Sequence, residues 1–126
     1  MQRPRSITIV AWIFILTGAL GIAHDLWPLL TPGAATQLAK LRADGLIDLA
    51  PAWVTRALAI IGGIYTLRGM NWARWLLAAW MLLHVIISAL HSAVEVAMHC
   101  LIFAVLAYLL FRRSAAGFFR RTTAAH

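Results

Sequence analysis

Four apolar runs, separated by short polar breaks, organise the chain. The first extends from Ile7 to about Trp27, the second from Ala52 to Leu67, the third from about Trp72 to His91 and the fourth from Ala93 to Phe111. A bilayer core of ~30 Å takes about 20 helical residues, within a range of roughly 17 to 25. The second run is short and interrupted by Arg56. The third and fourth together would make about 60 Å of helix at the α-helical rise. That is too long for one crossing, so the chain has to reverse between them. Ser92 followed three residues later by Glu95 is the capping-box pattern, which marks the reversal and leaves His91 in a tight turn.

The second run has clear punctuation. Pro51 suits a first helical position, and Gly69 suits the residue just past the end. Thr55, Ala59 and Gly63 recur every fourth residue, a small-residue ridge that lets another helix approach closely. Gly18 and Gly21 in the first run read the same way, as packing positions. The stretch from Thr31 to Pro51 is more polar. Thr31-Pro32 looks like a cap and a first-turn proline, and Gly45 looks like a stop. Leu38 and Leu41 share a side between Lys40, Arg42 and Asp44, which predicts a short helix lying at the membrane interface. A solvated loop is the alternative. The fold class expected is therefore all-α. It is a four-transmembrane-helix bundle in one domain, residues 1–126, with an interfacial helix between spans one and two.

Composition supports this pattern. The chain is 63% apolar and 12% charged, against roughly 25% charged in ordinary globular domains. The net charge of +7 would suit a nucleic-acid partner, but its placement argues for topology instead. Arg3, Arg5, Arg68, Arg74, Arg112, Arg113, Arg120 and Arg121 fall at one end of a four-pass chain; only Lys40, Arg42 and Arg56 fall at the other. The positive-inside rule then puts both termini in the cytoplasm, and anionic lipid accounts for the charge without nucleic acid. Trp27 and Trp53 mark the outer interface, while Tyr65, Trp72, Trp75 and Tyr108 lie toward the inner one. Arg3 and Arg5 before an apolar run, with Gly21-Ile22-Ala23 after it, could also form a cleavable leader. The run is longer than a usual leader core, and no polar mature sequence follows, so a retained span is expected. The single cysteine, Cys100, excludes an intramolecular disulfide and reads as a small packing residue.

The candidate chemistry sits in HVIISALHSAVEVAMHC, residues 84 to 100, which places His84, His91, Glu95 and His99 in a very apolar region. His84, Ser88 and His91 fall on one helical face, and Glu95 and His99 on another, since residues three, four and seven apart align. His84 and His99 are each about seven residues from the turn, so both would lie ~10 Å deep at the same level. Ionisable groups within spans normally turn inward and pair. The four therefore read as half of a polar cluster in the outer leaflet, with His24, Asp25 and Arg56 as the other half. Arg56 would have Asp25 or Glu95 as its carboxylate partner.

Three functions fit such a cluster. It could hold a transition metal or a haem, using His84, His91, Glu95 and His99, since histidine and carboxylate suit several such metals and bundles hold cofactors between facing helices. It could handle protons or a small molecule such as a quinone. Or the polar groups could join helices within an accessory or binding protein that meets a partner membrane protein or its own copies. No phosphate-cradling loop or Ser–His–Asp constellation is present to indicate a familiar enzyme. Arg3-Pro4-Arg5-Ser6-Ile7-Thr8-Ile9, Asn71-Trp72-Ala73-Arg74-Trp75, and Tyr108 to Phe111 followed by Phe118-Phe119-Arg120 resemble a group of small bacterial integral membrane proteins of uncharacterised function. That resemblance implies a multi-pass protein of the bacterial inner membrane, and no activity.

Overall fold

The computed structural model describes residues 3–36, 38, 39 and 50–123. Among them no strand occurs. The chain forms α1 (Arg5–Leu26), a 3-10 turn (Trp27–Leu30), α2 (Ala50–Leu67), α3 (Asn71–Ser88), α4 (Ala93–Phe111) and α5 (Arg113–Thr123). Residues 34–36, 38 and 39 are also helical. They fall within the expected interfacial segment. Thr31 closes the 3-10 turn by donating its hydroxyl to the Pro28 carbonyl at 3.0 Å, and the helical residues begin at Ala34 rather than at Pro32. Lys40, Leu41, Arg42, Asp44 and Gly45 lie outside the described residues.

Local chemistry explains several helix ends. α2 stops where Gly69 takes φ +76, a conformation that glycine adopts without a Cβ penalty. The Met70 amide then reaches the Tyr65 carbonyl and the Gly69 amide reaches that of Thr66, the Schellman pattern. α3 ends at Ser88, three residues earlier than the sequence suggests. Its last amides tighten to three-residue spacing, from Ala89 to Ile86, Leu90 to Ile87 and His91 to Ser88. Ser92 does cap α4: its hydroxyl accepts from the Glu95 amide at 3.2 Å. The Ser92 amide is taken by the Ser88 carbonyl, so only this half of the expected capping box is formed.

α1 packs most extensively on α2, α2 on α3 and α3 on α4, while α4 meets α1 along a narrower seam. Glycines permit the α1–α2 contact. A Cβ on Gly63 would lie 2.7 Å from the Ala11 carbonyl oxygen, and one on Gly18 would lie 2.8 Å from that of Arg56. Ala59 is buried in the same seam, so the small-residue ridge on α2 is a packing surface.

The core is weighted toward one end of the bundle. Ile7, Val10 and Phe14 of α1 meet Leu77 and Met81 of α3, Leu106 and Leu110 of α4, and Ala115 and Phe119 of α5. These residues lie toward the arginine-rich end. There Arg3 donates to the Leu67 carbonyl at 3.0 Å and Arg112 to the Ser6 hydroxyl at 2.7 Å. The Arg74 guanidinium lies over the rings of Phe111 and Phe119, at 4.9 and 5.3 Å. α5 was not expected from the apolar pattern. It is short and polar on one side, and its Phe119 is fully buried against the end of the bundle.

The outside is apolar. Ile9, Leu16, Leu20, Ile86, Met98, Leu101 and Val105 are all exposed, whereas soluble monomers rarely present large contiguous apolar patches. Two stretches, Arg5–Leu30 and α4, are long and apolar enough to cross a membrane, and very little of α4 is buried within the protein. A core helix of a soluble protein would be largely covered instead. Cys100 is exposed on α4 and is not the packing residue the sequence suggests, because α4 is covered by neighbours along only part of its circumference.

Candidate functional site

A cavity of about 860 Å³ lies between α1, α2, α3 and α4, and core residues such as Val10, Phe14, Met81 and Leu106 form part of its wall. Its walls are mostly apolar side chains, among them Ile13 of α1 and Ile102 and Val105 of α4. Those same residues are exposed. The cavity therefore opens sideways between α1 and α4, at the place where their seam is thin. Arg56, Trp80, His84 and His99 add polar groups to its lining.

Arg56 reaches its position along a track on α1. Gly18, Gly21 and Asp25 are three and four residues apart, so they share a helix face. At Gly18 the Arg56 backbone comes close. At Gly21 a Cβ would lie 2.7 Å from Arg56 Nε and 3.0 Å from Cδ, so the missing side chain leaves room for the arginine stem. Asp25 Oδ2 then receives the guanidinium in an ion pair, and both side chains are largely covered. His24 Nδ1 stands 3.5 Å from the other Asp25 oxygen, with its ring exposed. Of the two carboxylates the sequence offers Arg56, the structure pairs it with Asp25.

His84 and His99 come together from antiparallel neighbours, as their equal depth suggests. Their ring centroids are 6.4 Å apart and the planes are inclined by 30°. His84 Nδ1 lies 2.9 Å from the Trp80 carbonyl, and His99 Nδ1 lies 2.8 Å from the Glu95 carbonyl. A carbonyl only accepts, so each Nδ1 must carry the proton. In the neutral imidazole that leaves Nε2 as a bare acceptor. This assignment follows from the partner's chemistry.

His91 and Glu95 do not join this pair. α3 ends at Ser88, so His91 sits in the turn and loses the seven-residue alignment with His84. Its Nδ1 is 3.1 Å from the Ile87 carbonyl, and the residue is exposed. Glu95 is exposed in the first turn of α4. Among the described residues no three His, Cys, Asp or Glu side chains gather as a metal-holding group. The four-residue set expected from the sequence is thus reduced to a pair.

Trp80 is the site residue that the sequence reading passed over. Its indole donates to the Thr55 carbonyl at 2.8 Å, tying α3 to α2. Its ring lies 3.9 Å from that of His84 and meets Phe14 edge-on at 5.3 Å. The signal was present: Trp80 and His84 are four apart, so they share a face. No family model, curated protein or solved structure matches this chain.

Proposed function

We propose that this chain is a four-span protein of the bacterial inner membrane with both termini cytoplasmic, and that it binds an apolar or amphipathic molecule dissolved in the bilayer. The observation that carries the reading is the cavity of about 860 Å³ that opens sideways between α1 and α4. Small-molecule sites are typically concave, mostly apolar spaces of about 300–1,000 Å³ with a few polar groups. A sideways mouth bordered by outward apolar side chains admits a molecule from lipid rather than from water. Two long apolar helices support membrane insertion. α2 and α3, at 18 residues each, fall within the length range for spanning helices. Their charged or polar residues are accommodated within the bundle: Arg56 is paired, and His84 faces the cavity. The arginines gathered at the core end support the cytoplasmic placement of that end. The role is binding, alone or as an accessory subunit of a membrane complex, rather than catalysis.

The test is ligand retention. Protein in lipid nanodiscs is extracted and its bound lipophiles are identified by mass spectrometry. Val105→Trp on the cavity wall should expel the retained molecule, while Cys100→Ala, outside the cavity lining, should keep it. Equal retention by both variants would sink the reading.

A metal or haem held by His84 and His99 is a second reading, favoured by the 6.4 Å pairing of their rings. Its signature is an absorption band, or one near-stoichiometric metal, that His84→Ala and His99→Ala both remove.

A further inference from the structure

We infer that the cavity selects a neutral aromatic head bearing a hydroxyl donor, a lipophilic phenol or quinol, with His84 and His99 as its acceptors. The inference rests on the binding reading above and names the ligand's chemistry.

The argument begins with the helix backbone. Each imidazole has its Nδ1 proton committed to a carbonyl one turn earlier, at 2.9 Å for His84 and 2.8 Å for His99. In the neutral form of such a ring, the remaining nitrogen accepts and cannot donate. A ligand that brings only acceptors, such as a ketone or an ether, leaves these nitrogens unanswered in an apolar space. Leaving a buried acceptor unpaired costs more than an ordinary hydrogen bond contributes. A hydroxyl supplies a donor: a phenol answers one of the two nitrogens, and a quinol, with two hydroxyls, can answer both. Both rings line the cavity with centroids 6.4 Å apart, a separation comparable to the size of one aromatic head.

The other groups exclude competing heads. Arg56 is the one cation among the described residues that line the cavity, and Asp25 already neutralises it. The site therefore offers no free positive charge to a carboxylate or phosphate head. The indole N–H of Trp80 is likewise spent on the Thr55 carbonyl, so it is not available to a carbonyl head. Trp80 and Phe14 line the cavity beside His84 and give a flat head ring surfaces to pack on. Ile13, Ile102 and Val105 border the sideways mouth, where an apolar tail can continue into lipid.

The test compares three probes with the same alkyl tail against full-length protein in nanodiscs: an alkylphenol, its methyl ether and a fatty alcohol. The phenol and the ether differ by the donor and one methyl group, and the His84→Phe/His99→Phe variant separates the two contributions. The phenol is expected to bind roughly tenfold tighter than its ether, the effect of about one hydrogen bond. It should also bind tighter than the fatty alcohol, which lacks the ring. In the His84→Phe/His99→Phe variant the preference for phenol over ether should vanish while the ether still binds, which also shows that the variant is folded. Equal affinity for phenol and ether in the unmodified protein overturns the inference. So does a preference that survives in the double variant, or a fatty alcohol that matches the phenol. Each of these results leaves the binding reading intact. That reading fails separately, if Val105→Trp leaves the retention of every lipophile unchanged.

Discussion

Asp25, near the end of α1, holds Arg56 of α2 in an ion pair that both helices help to cover. The arrangement is built from the α1 side. Gly18 admits the Arg56 backbone, Gly21 admits its stem, and Asp25 receives its charge. Asp25→Asn should leave the guanidinium uncompensated and destabilise the protein by roughly 2 kcal/mol, between the limits for exposed and buried pairs. Thermal unfolding in mild detergent measures this. Adding Arg56→Met to Asp25→Asn should recover much of the loss, since the stranded charge is then gone. A double variant no better than Asp25→Asn would show that the pair is not what the single change disrupts.

The α1–α2 seam should resist even one methyl group. At Gly63 a Cβ would meet the Ala11 carbonyl oxygen and Ile15 Cγ1, each at 2.7 Å. The first is backbone and has little room to yield. Gly63→Ala is expected to cost about 1–3 kcal/mol, the usual range for overpacking. Cys100→Ala, at an exposed position, should leave the melting temperature unchanged.

Trp80 ties the site to the scaffold. Trp80→Phe keeps a ring beside His84 but removes the donor to the Thr55 carbonyl. A stability loss of about 1 kcal/mol is expected. Ligand binding should weaken as well, because the α2–α3 wall of the cavity loses this hydrogen bond. Calorimetric or fluorescence titration reads the second effect separately from the first.

Topology can be read with thiol chemistry. In a Cys100→Ala background, Ala35→Cys should react with a membrane-impermeant maleimide added outside spheroplasts. Ser114→Cys, at the arginine-rich end, should react only after lysis. Both positions are exposed. Reversed labelling would overturn the orientation inferred from the arginines.

Much of the helical order was legible in the sequence, because it depends on neighbours in the chain. Apolar runs placed four of the helices to within a few residues, Gly69 marked the end of α2, and Ser92 marked the start of α4. The early end of α3 was less legible, since neither glycine nor proline fixes it. α5 escaped because its apolar side is short. Only contact with the bundle buries Ala115 and Phe119.

The candidate site divides along the same line. The sequence by itself determined that His84 and His99 sit at equal depth, because helical rise converts residue count into distance. It also determined that Gly18, Gly21 and Asp25 share a face, because helical periodicity is local. Tertiary structure alone decided the rest. Asp25 rather than Glu95 answers Arg56, because α1 and α2 pack closely through their glycines. His91 is left outside, because α3 ends at Ser88. The cavity exists because α1 and α4 meet along a thin seam, so the core side chains between them do not close the space. Such a space is a property of how four surfaces fail to meet, and no single stretch of sequence encodes it.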